Sequence, residues 1–321
     1  MAKQKVFVTR SIPARGLDLI REFCDTDVWP GELPPPGKEF IRHIRDAEGI
    51  VSLLTDKIDA GVMDAAPRLK VISNMAVGVD NVDVTAATAH KLPVGNTPGV
   101  LTDATADQTF ALLLAAARRV VEGEKFVRSG KWVTWGPQLL LGADLAGATL
   151  GIIGFGRIGQ AVARRAQGFE LRVIYHDPTA QPALGALPVE LELLLSESDF
   201  VSLHVPLTKT THHLVNPAFL SRMKPTAILI NTSRGGVVDQ AALYQALKTK
   251  QIFAAALDVT DPEPLPADNP LLELENCLIV PHLGSASKHT RDMMSFLAAQ
   301  NLIAGLKGER LPHCVNPEVY T

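Results

Sequence analysis

The chain has 321 residues, 46% of them hydrophobic and 20% charged, with a net charge of -3. Such a chain is globular and long enough for two domains with separate cores. It has no block of like charge and only 5% aromatics, which excludes a basic nucleic-acid-binding face, and its best apolar run, residues 110–117, excludes a membrane span of ~18 residues.

Residues 1–5 lead straight into Val6-Phe7-Val8, without a secretory leader's hydrophobic stretch and cleavage site. Residues 6–9 predict a strand. Residues 12–23 have helical spacing, with Ile12, Leu17, Leu19, Ile20 and Phe23 on the apolar face. Residues 30–37 hold four prolines and two glycines and predict a loop. A helix is predicted at 40–45 and strands at 49–54 and 69–73. This alternation implies a parallel sheet covered by helices. Pro98-Gly99 marks a break. Residues 102–128 predict one long helix, apolar on more than one side and therefore buried between two bodies.

A second alternating region starts at residue 149. Strands are predicted at 150–153, 171–175, 200–203, 227–230, 253–257 and 277–280, with a helix at 157–167. A last helix, 287–307, is stopped by Gly308. Too few residues follow the last strand to build a domain, so this helix must dock on a body already formed. The expected fold class is α/β, with two doubly wound parallel-sheet domains linked by two long helices. Residues 1–98 plus 286–321 form one domain and residues 99–285 the other. Cys24, Cys277 and Cys314 are too sparse for a disulfide framework or a cysteine metal site, and they predict a reducing, cytoplasmic setting.

Gly154-Phe155-Gly156-Arg157-Ile158-Gly159 is a G-x-G-x-x-G between a predicted strand and a predicted helix. Gly154 permits a tight turn, Gly156 lets the backbone approach a pyrophosphate, and Gly159 allows close helix–strand packing. Asp177 stands 18 residues after Gly159, just beyond the next strand. Its carboxylate is placed to accept from both adenosine ribose hydroxyls and would repel a 2′-phosphate. NAD(H) is thus favoured, with NADP(H) as the other option. Residues 178–182 hold no cation, and Arg172, inside a strand, is poorly placed for a phosphate.

Three further stretches stand at or beyond strand ends: Asn231-Thr232-Ser233-Arg234-Gly235-Gly236, Asp258-Val259-Thr260-Asp261-Pro262-Glu263-Pro264 and Pro281-His282-Leu283-Gly284-Ser285. Ligands of open α/β sheets bind at such ends. The planar fork of Arg234 suits a carboxylate. His282 can give a proton to a carbonyl oxygen as hydride arrives. Glu263 beside it would orient the ring and keep it protonated. Each also has an ordinary reading: Arg234 in a helix-terminus ion pair, Glu263 as a solvated loop acid, His282 as a turn residue.

With these stretches, Val77-Gly78-Val79-Asp80-Asn81 and Leu297-Ala298-Ala299-Gln300-Asn301-Leu302, the chain resembles the D-2-hydroxyacid dehydrogenases over nearly its full length. Within them it looks most like the glyoxylate/hydroxypyruvate reductases. The resemblance implies a Rossmann-type nucleotide-binding domain and a flavodoxin-like substrate domain. It implies reduction of glyoxylate and hydroxypyruvate by NAD(P)H, with Arg234, Glu263 and His282 catalytic. Val77, Gly78, Leu54, Ser285 and Trp135 join Arg234 and His282 at the substrate. Thr105, Val205, Pro206, Thr211, Thr232, Ser233, Arg234, Asp258, His282 and Gly284 join the 154–159 loop and Asp177 at the cofactor, Asp258 toward the nicotinamide carboxamide. It further implies a homodimer joined through the nucleotide-binding domains, with Trp135 reaching the partner's site. A reductase of another small 2-oxoacid such as pyruvate, or a dinucleotide-sensing protein like the corepressors that share this triad, carries the same motifs. No metal is expected: His212-His213 are adjacent side chains that would point apart on a helix or strand, with no third ligand near in sequence.

Overall fold

The computed structural model describes residues 3–179 and 183–321. Two compact units form, Met1–Leu101 with Ser287–Thr321, and Thr102–Ala286. No helix among the described residues is long and apolar enough to cross a membrane.

The first unit opens with β1 (Gln4–Val8), α1 (Ala14–Phe23), β2 (Cys24–Val28), α2 (Gly37–Ile44) and β3 (Gly49–Ser52). It continues with α3 (Ala60–Asp64), β4 (Val71–Asn74), α4 (Val84–Ala89) and β5 (Val94–Gly95). The five strands are parallel in the order β2-β1-β3-β4-β5, the flavodoxin-like order. Successive strand residues feed opposite faces. Val6, Val8, Val51 and Val71 pack with Leu17 and Ile20, whereas Phe7, Ile50, Ile72 and Val94 pack with Phe40 and Ile44.

The second unit holds α5 (Thr102–Ala117), α6 (Val120–Arg128), β6 (Thr149–Ile153), α7 (Arg157–Gln167), β7 (Arg172–His176) and β8 (Leu187–Pro188). After these come α8 (Leu191–Glu197), β9 (Phe200–Leu203), α9 (Pro217–Leu220), β10 (Ile228–Asn231), α10 (Gln240–Lys248), β11 (Ala254–Leu257) and β12 (Cys277–Ile279). Its parallel sheet runs β12-β11-β10-β9-β6-β7-β8, which counted from β6 is the Rossmann order extended by one strand. Phe110, Leu113 and Val162 cover one face, and Leu194, Phe219 and Leu243 the other. The chain then returns to the first unit as α11 (Lys288–Leu306), capped by Ser287 and packed on α1, β3 and β4.

Two features differ from expectation. The helix expected over 102–128 is broken. Arg119 takes a left-handed φ of 52°, and Ala143 N–H caps the carbonyl of Ala117, where Gly142 lies so close that a Cβ would be 2.1 Å from that oxygen. α6 beyond the break buries no residue. Second, β2 forms where the sequence predicts no strand: Asp25, Thr26 and Asp27 are polar, as an edge strand allows. Residues 309–321 also help to build the first unit. Cys314 bridges to Gly95, and the buried Asn316 bonds Val94 and Leu92.

Candidate active site

Strand register sets the site in the second unit. His176, Ile153, Leu203, Asn231, Leu257 and Ile279 align in one row across the seven-stranded sheet. The 154–159 loop, Asp177 and the stretches that begin at Asn231, Asp258 and Pro281 all start at or just beyond this row, on one edge.

The β6–α7 turn is built by its glycines. Gly154 has φ +90° and lies against the backbone of His204 and Val205, so a Cβ there would meet atoms at 2.7 Å. At Gly159 a Cβ would sit 2.3 Å from the Gly154 carbonyl oxygen. At Gly156, by contrast, a Cβ would meet no protein atom within 4 Å, and no side chain caps α7. The helix N-terminus is thus an open cradle of N–H groups that fits a pyrophosphate. Phe155 contributes only backbone, because its ring is buried and stacked on Tyr175 at 4.0 Å. Arg157 is exposed and Ile158 half-buried. Asp177 accepts from Phe155 N–H (2.8 Å) through Oδ2, and from Thr179 N–H and Oγ–H (both 2.9 Å) through Oδ1. These donors fix the carboxylate beside the turn. Arg172 is engaged elsewhere, with Glu197 and Thr149. Of residues 178–182, Ala180, Gln181 and Pro182 lie outside the described residues.

Beyond β10, the buried Asn231 ties the Arg234 loop together. Its Nδ2 donates to the Arg234 carbonyl at 2.9 Å, and its Oδ1 accepts from Ser233 N–H (3.0 Å) and Oγ–H (2.8 Å). The Arg234 guanidinium donates back to the Ser233 carbonyl at 2.8 Å. Thr232 meets Thr109 at 2.9 Å, and Thr109 donates to the Thr105 carbonyl. Gly235 presses on Thr260: a Cβ would lie 1.9 Å from the Thr260 carbonyl oxygen, so the Arg234 and Glu263 loops pack backbone to backbone.

Glu263 Oε1 meets His282 Nδ1 at 2.6 Å. His282 has a left-handed φ of 54°, a conformation that costs a non-glycine residue about 1–3 kcal/mol. Asp258 holds it there. The Asp258 carbonyl accepts from His282 N–H (2.9 Å), and its carboxylate accepts from Leu283 N–H (2.6 Å) and Gly284 N–H (2.8 Å). Asp258 is 1% exposed. Burial pushes its carboxyl above the ordinary value, with the two amides pulling the other way. Ser285 is buried next in line.

A family model described as "D-isomer specific 2-hydroxyacid dehydrogenase, NAD binding domain" matches residues 110–284. The chain belongs to this family. A glyoxylate reductase of Korarchaeum cryptofilum is 55% identical, with 99% of this chain and 97% of that protein covered. The TT0316 protein of Thermus thermophilus is 50% identical with a TM-score of 0.93, covering 97% of this chain and all (100%) of that one. An NADPH-dependent glyoxylate/hydroxypyruvate reductase of Sinorhizobium meliloti, solved with NADP and malonate, is 34% identical with a TM-score of 0.87 and 98% of each chain covered.

As in other D-2-hydroxyacid dehydrogenases, a nicotinamide dinucleotide is the cofactor. Val205 is half-buried and Pro206 exposed, and the Pro206 carbonyl accepts from Thr211 Oγ–H at 2.6 Å. Among residues that sequence reasoning missed, His204 bonds Ser202 at 2.8 Å, and loss of solvent pushes its imidazole down to about 3. Asn231 is another, recognisable only as a polar residue ending an apolar strand. His212 and His213 do not point apart: they sit in a turn, with rings stacked at 3.9 Å. Among the described residues, no three His, Cys, Asp or Glu side chains gather as a metal site. The remaining predicted residues belong to the first unit or to exposed surface. Leu54 is half-buried beyond β3, Val77 and Gly78 form the loop beyond β4, and Trp135 is 77% exposed in the second unit.

Proposed function

We propose that this chain reduces glyoxylate and hydroxypyruvate to glycolate and D-glycerate, with NADH used at least as well as NADPH. The observation that carries this reading is the His282–Glu263 pair, set on the same sheet edge as Arg234 and the glycine cradle. A bound nicotinamide supplies the hydride. Arg234 offers its fork to a carboxylate, and in the first unit the amides of Val77 and Gly78 are carboxylate donors as well. Glu263 occupies Nδ1 of His282, which leaves Nε2 to give the proton to the carbonyl oxygen. Steady-state reduction of glyoxylate, hydroxypyruvate and pyruvate tests the reading, with turnover expected within ~1–1000 per second. Absence of turnover with every one of these 2-oxoacids overturns it.

The relative from Sinorhizobium is NADPH-dependent, whereas Asp177 favours NADH here. A ribose 2′-hydroxyl can donate to this carboxylate, but a 2′-phosphate cannot and meets like charge. The expected result is a kcat/KM for NADH at least equal to that for NADPH at saturating glyoxylate. Asp177→Ala should narrow or reverse the ratio, chiefly through the KM for NADPH. A wild-type preference for NADPH of tenfold or more, about 1.4 kcal/mol, would refute the assignment.

We also read the chain as a homodimer joined through its nucleotide-binding unit, with Trp135 reaching the partner's site. Exposed Trp132, Val133, Trp135 and Leu141 support that reading. The three free cysteines support a cytoplasmic location.

A further inference from the structure

The aim of the Val77 and Gly78 amides can be traced bond by bond. In the five-stranded sheet, Val51 pairs with Ser73 and Ser73 with Gly95, so Ser52, Asn74 and Asn96 come next on the same edge. The peptides here are trans and planar, so fixing a carbonyl also fixes the N–H of the following residue, pointing the opposite way. The Ala76 carbonyl accepts from Thr97 N–H at 2.9 Å, which sets the N–H of Val77. The Val77 carbonyl accepts from Asn96 Nδ2 at 2.8 Å, which sets the N–H of Gly78. Neither N–H has a hydrogen-bond partner among the described residues.

We infer that Asn96 is a positioning residue for carboxylate recognition: its side chain, held to the Val77 carbonyl, aims the Gly78 amide at the substrate carboxylate. The inference rests on the reading that this loop binds that carboxylate. Asn96 is itself anchored. Its N–H donates to the His313 carbonyl at 3.2 Å, and its carbonyl accepts from the buried Asn301 at 2.8 Å. Asn301 in turn accepts from His313 N–H at 3.0 Å. A second pair completes the frame. Asn74 Nδ2 donates to the Gly78 carbonyl at 3.1 Å, while Asn81 Nδ2 donates to the carbonyls of Leu53 (3.0 Å) and Asp56 (2.9 Å), on either side of Leu54. Both loops are therefore braced by carboxamides, whose paired donor and acceptor can satisfy two backbone groups at once.

The test uses the full chain with Asn96→Ala and Asn96→Leu, the second branched at Cγ like asparagine, though larger, and without a donor. KM and kcat for glyoxylate, the inhibition constant of oxalate, the Kd of NADH and the Tm are measured. The expected result is that KM and the oxalate constant both rise about tenfold, the worth of one aimed hydrogen bond to a charged group. kcat changes less, and NADH binding holds. Unchanged KM and oxalate binding in a folded variant overturn the inference. So does a parallel loss of kcat and NADH binding, or loss of folding in both variants, since each marks a merely structural residue. Wild-type protein that neither reduces glyoxylate nor binds oxalate overturns the functional reading itself, and the inference with it.

Discussion

His282→Ala lowers kcat for glyoxylate reduction by about 100–10,000-fold, the usual cost of losing a general acid. NADH affinity stays close to that of wild type, because the glycine cradle of β6 and α7 is built from other residues. The expectation follows from the ring's surroundings. Glu263 takes Nδ1 at 2.6 Å, so only Nε2 is left for substrate. The backbone is held in its left-handed turn by three bonds to Asp258, none of which needs the imidazole. Truncation therefore removes the proton donor and leaves the loop's anchor in place. Glu263→Gln should cost less than His282→Ala, since an amide still accepts from Nδ1–H but no longer offers a charge. Stopped-flow reduction and NADH fluorescence titration check both variants. Turnover of His282→Ala within a few-fold of wild type would remove it from the mechanism.

The parts legible in the sequence are those whose cause is local. Gly154 and Gly159 are required by a backbone turn and a backbone contact a few residues away, so the dinucleotide cradle could be read from spacing alone. Apolar runs such as Ala254–Leu257 needed only short-range patterning, because strands buried on both faces are continuously hydrophobic. The parts not legible depend on residues distant in sequence. The break after Ala117 needs Gly142 and Ala143 to arrive at the helix end. Nothing in residues 102–128 announces it. Asp258 could be picked out as an acid beyond a strand, but not as the acceptor for the Leu283 and Gly284 amides. Asn231 looks like an ordinary strand end and Asn96 like an ordinary loop residue until their carboxamides are seen bonded to loop carbonyls.

Arg234→Lys is expected to lower kcat/KM for glyoxylate by about 10–100-fold, with KM raised and kcat reduced, although the charge is kept. Arginine presents a rigid planar fork that binds both carboxylate oxygens, whereas lysine presents one point charge on a flexible stem. The surrounding loop is built to hold a fork in place. Asn231 clamps the Arg234 carbonyl, and the guanidinium Nη1 braces on the Ser233 carbonyl at 2.8 Å. A lysine ammonium is a single point charge and has no planar fork with which to keep that brace and also pair both carboxylate oxygens. The loop itself should survive, because the Asn231 bonds and the contact of Gly235 with Thr260 involve backbone at these positions rather than the guanidinium. An unchanged Tm with a lowered kcat/KM would therefore report recognition rather than folding. Two-oxygen recognition also predicts that oxalate inhibition weakens in step with the rise in KM. If Arg234→Lys reduces glyoxylate with wild-type kcat/KM, the guanidinium takes no part in binding the substrate, and carboxylate recognition must be assigned to other donors.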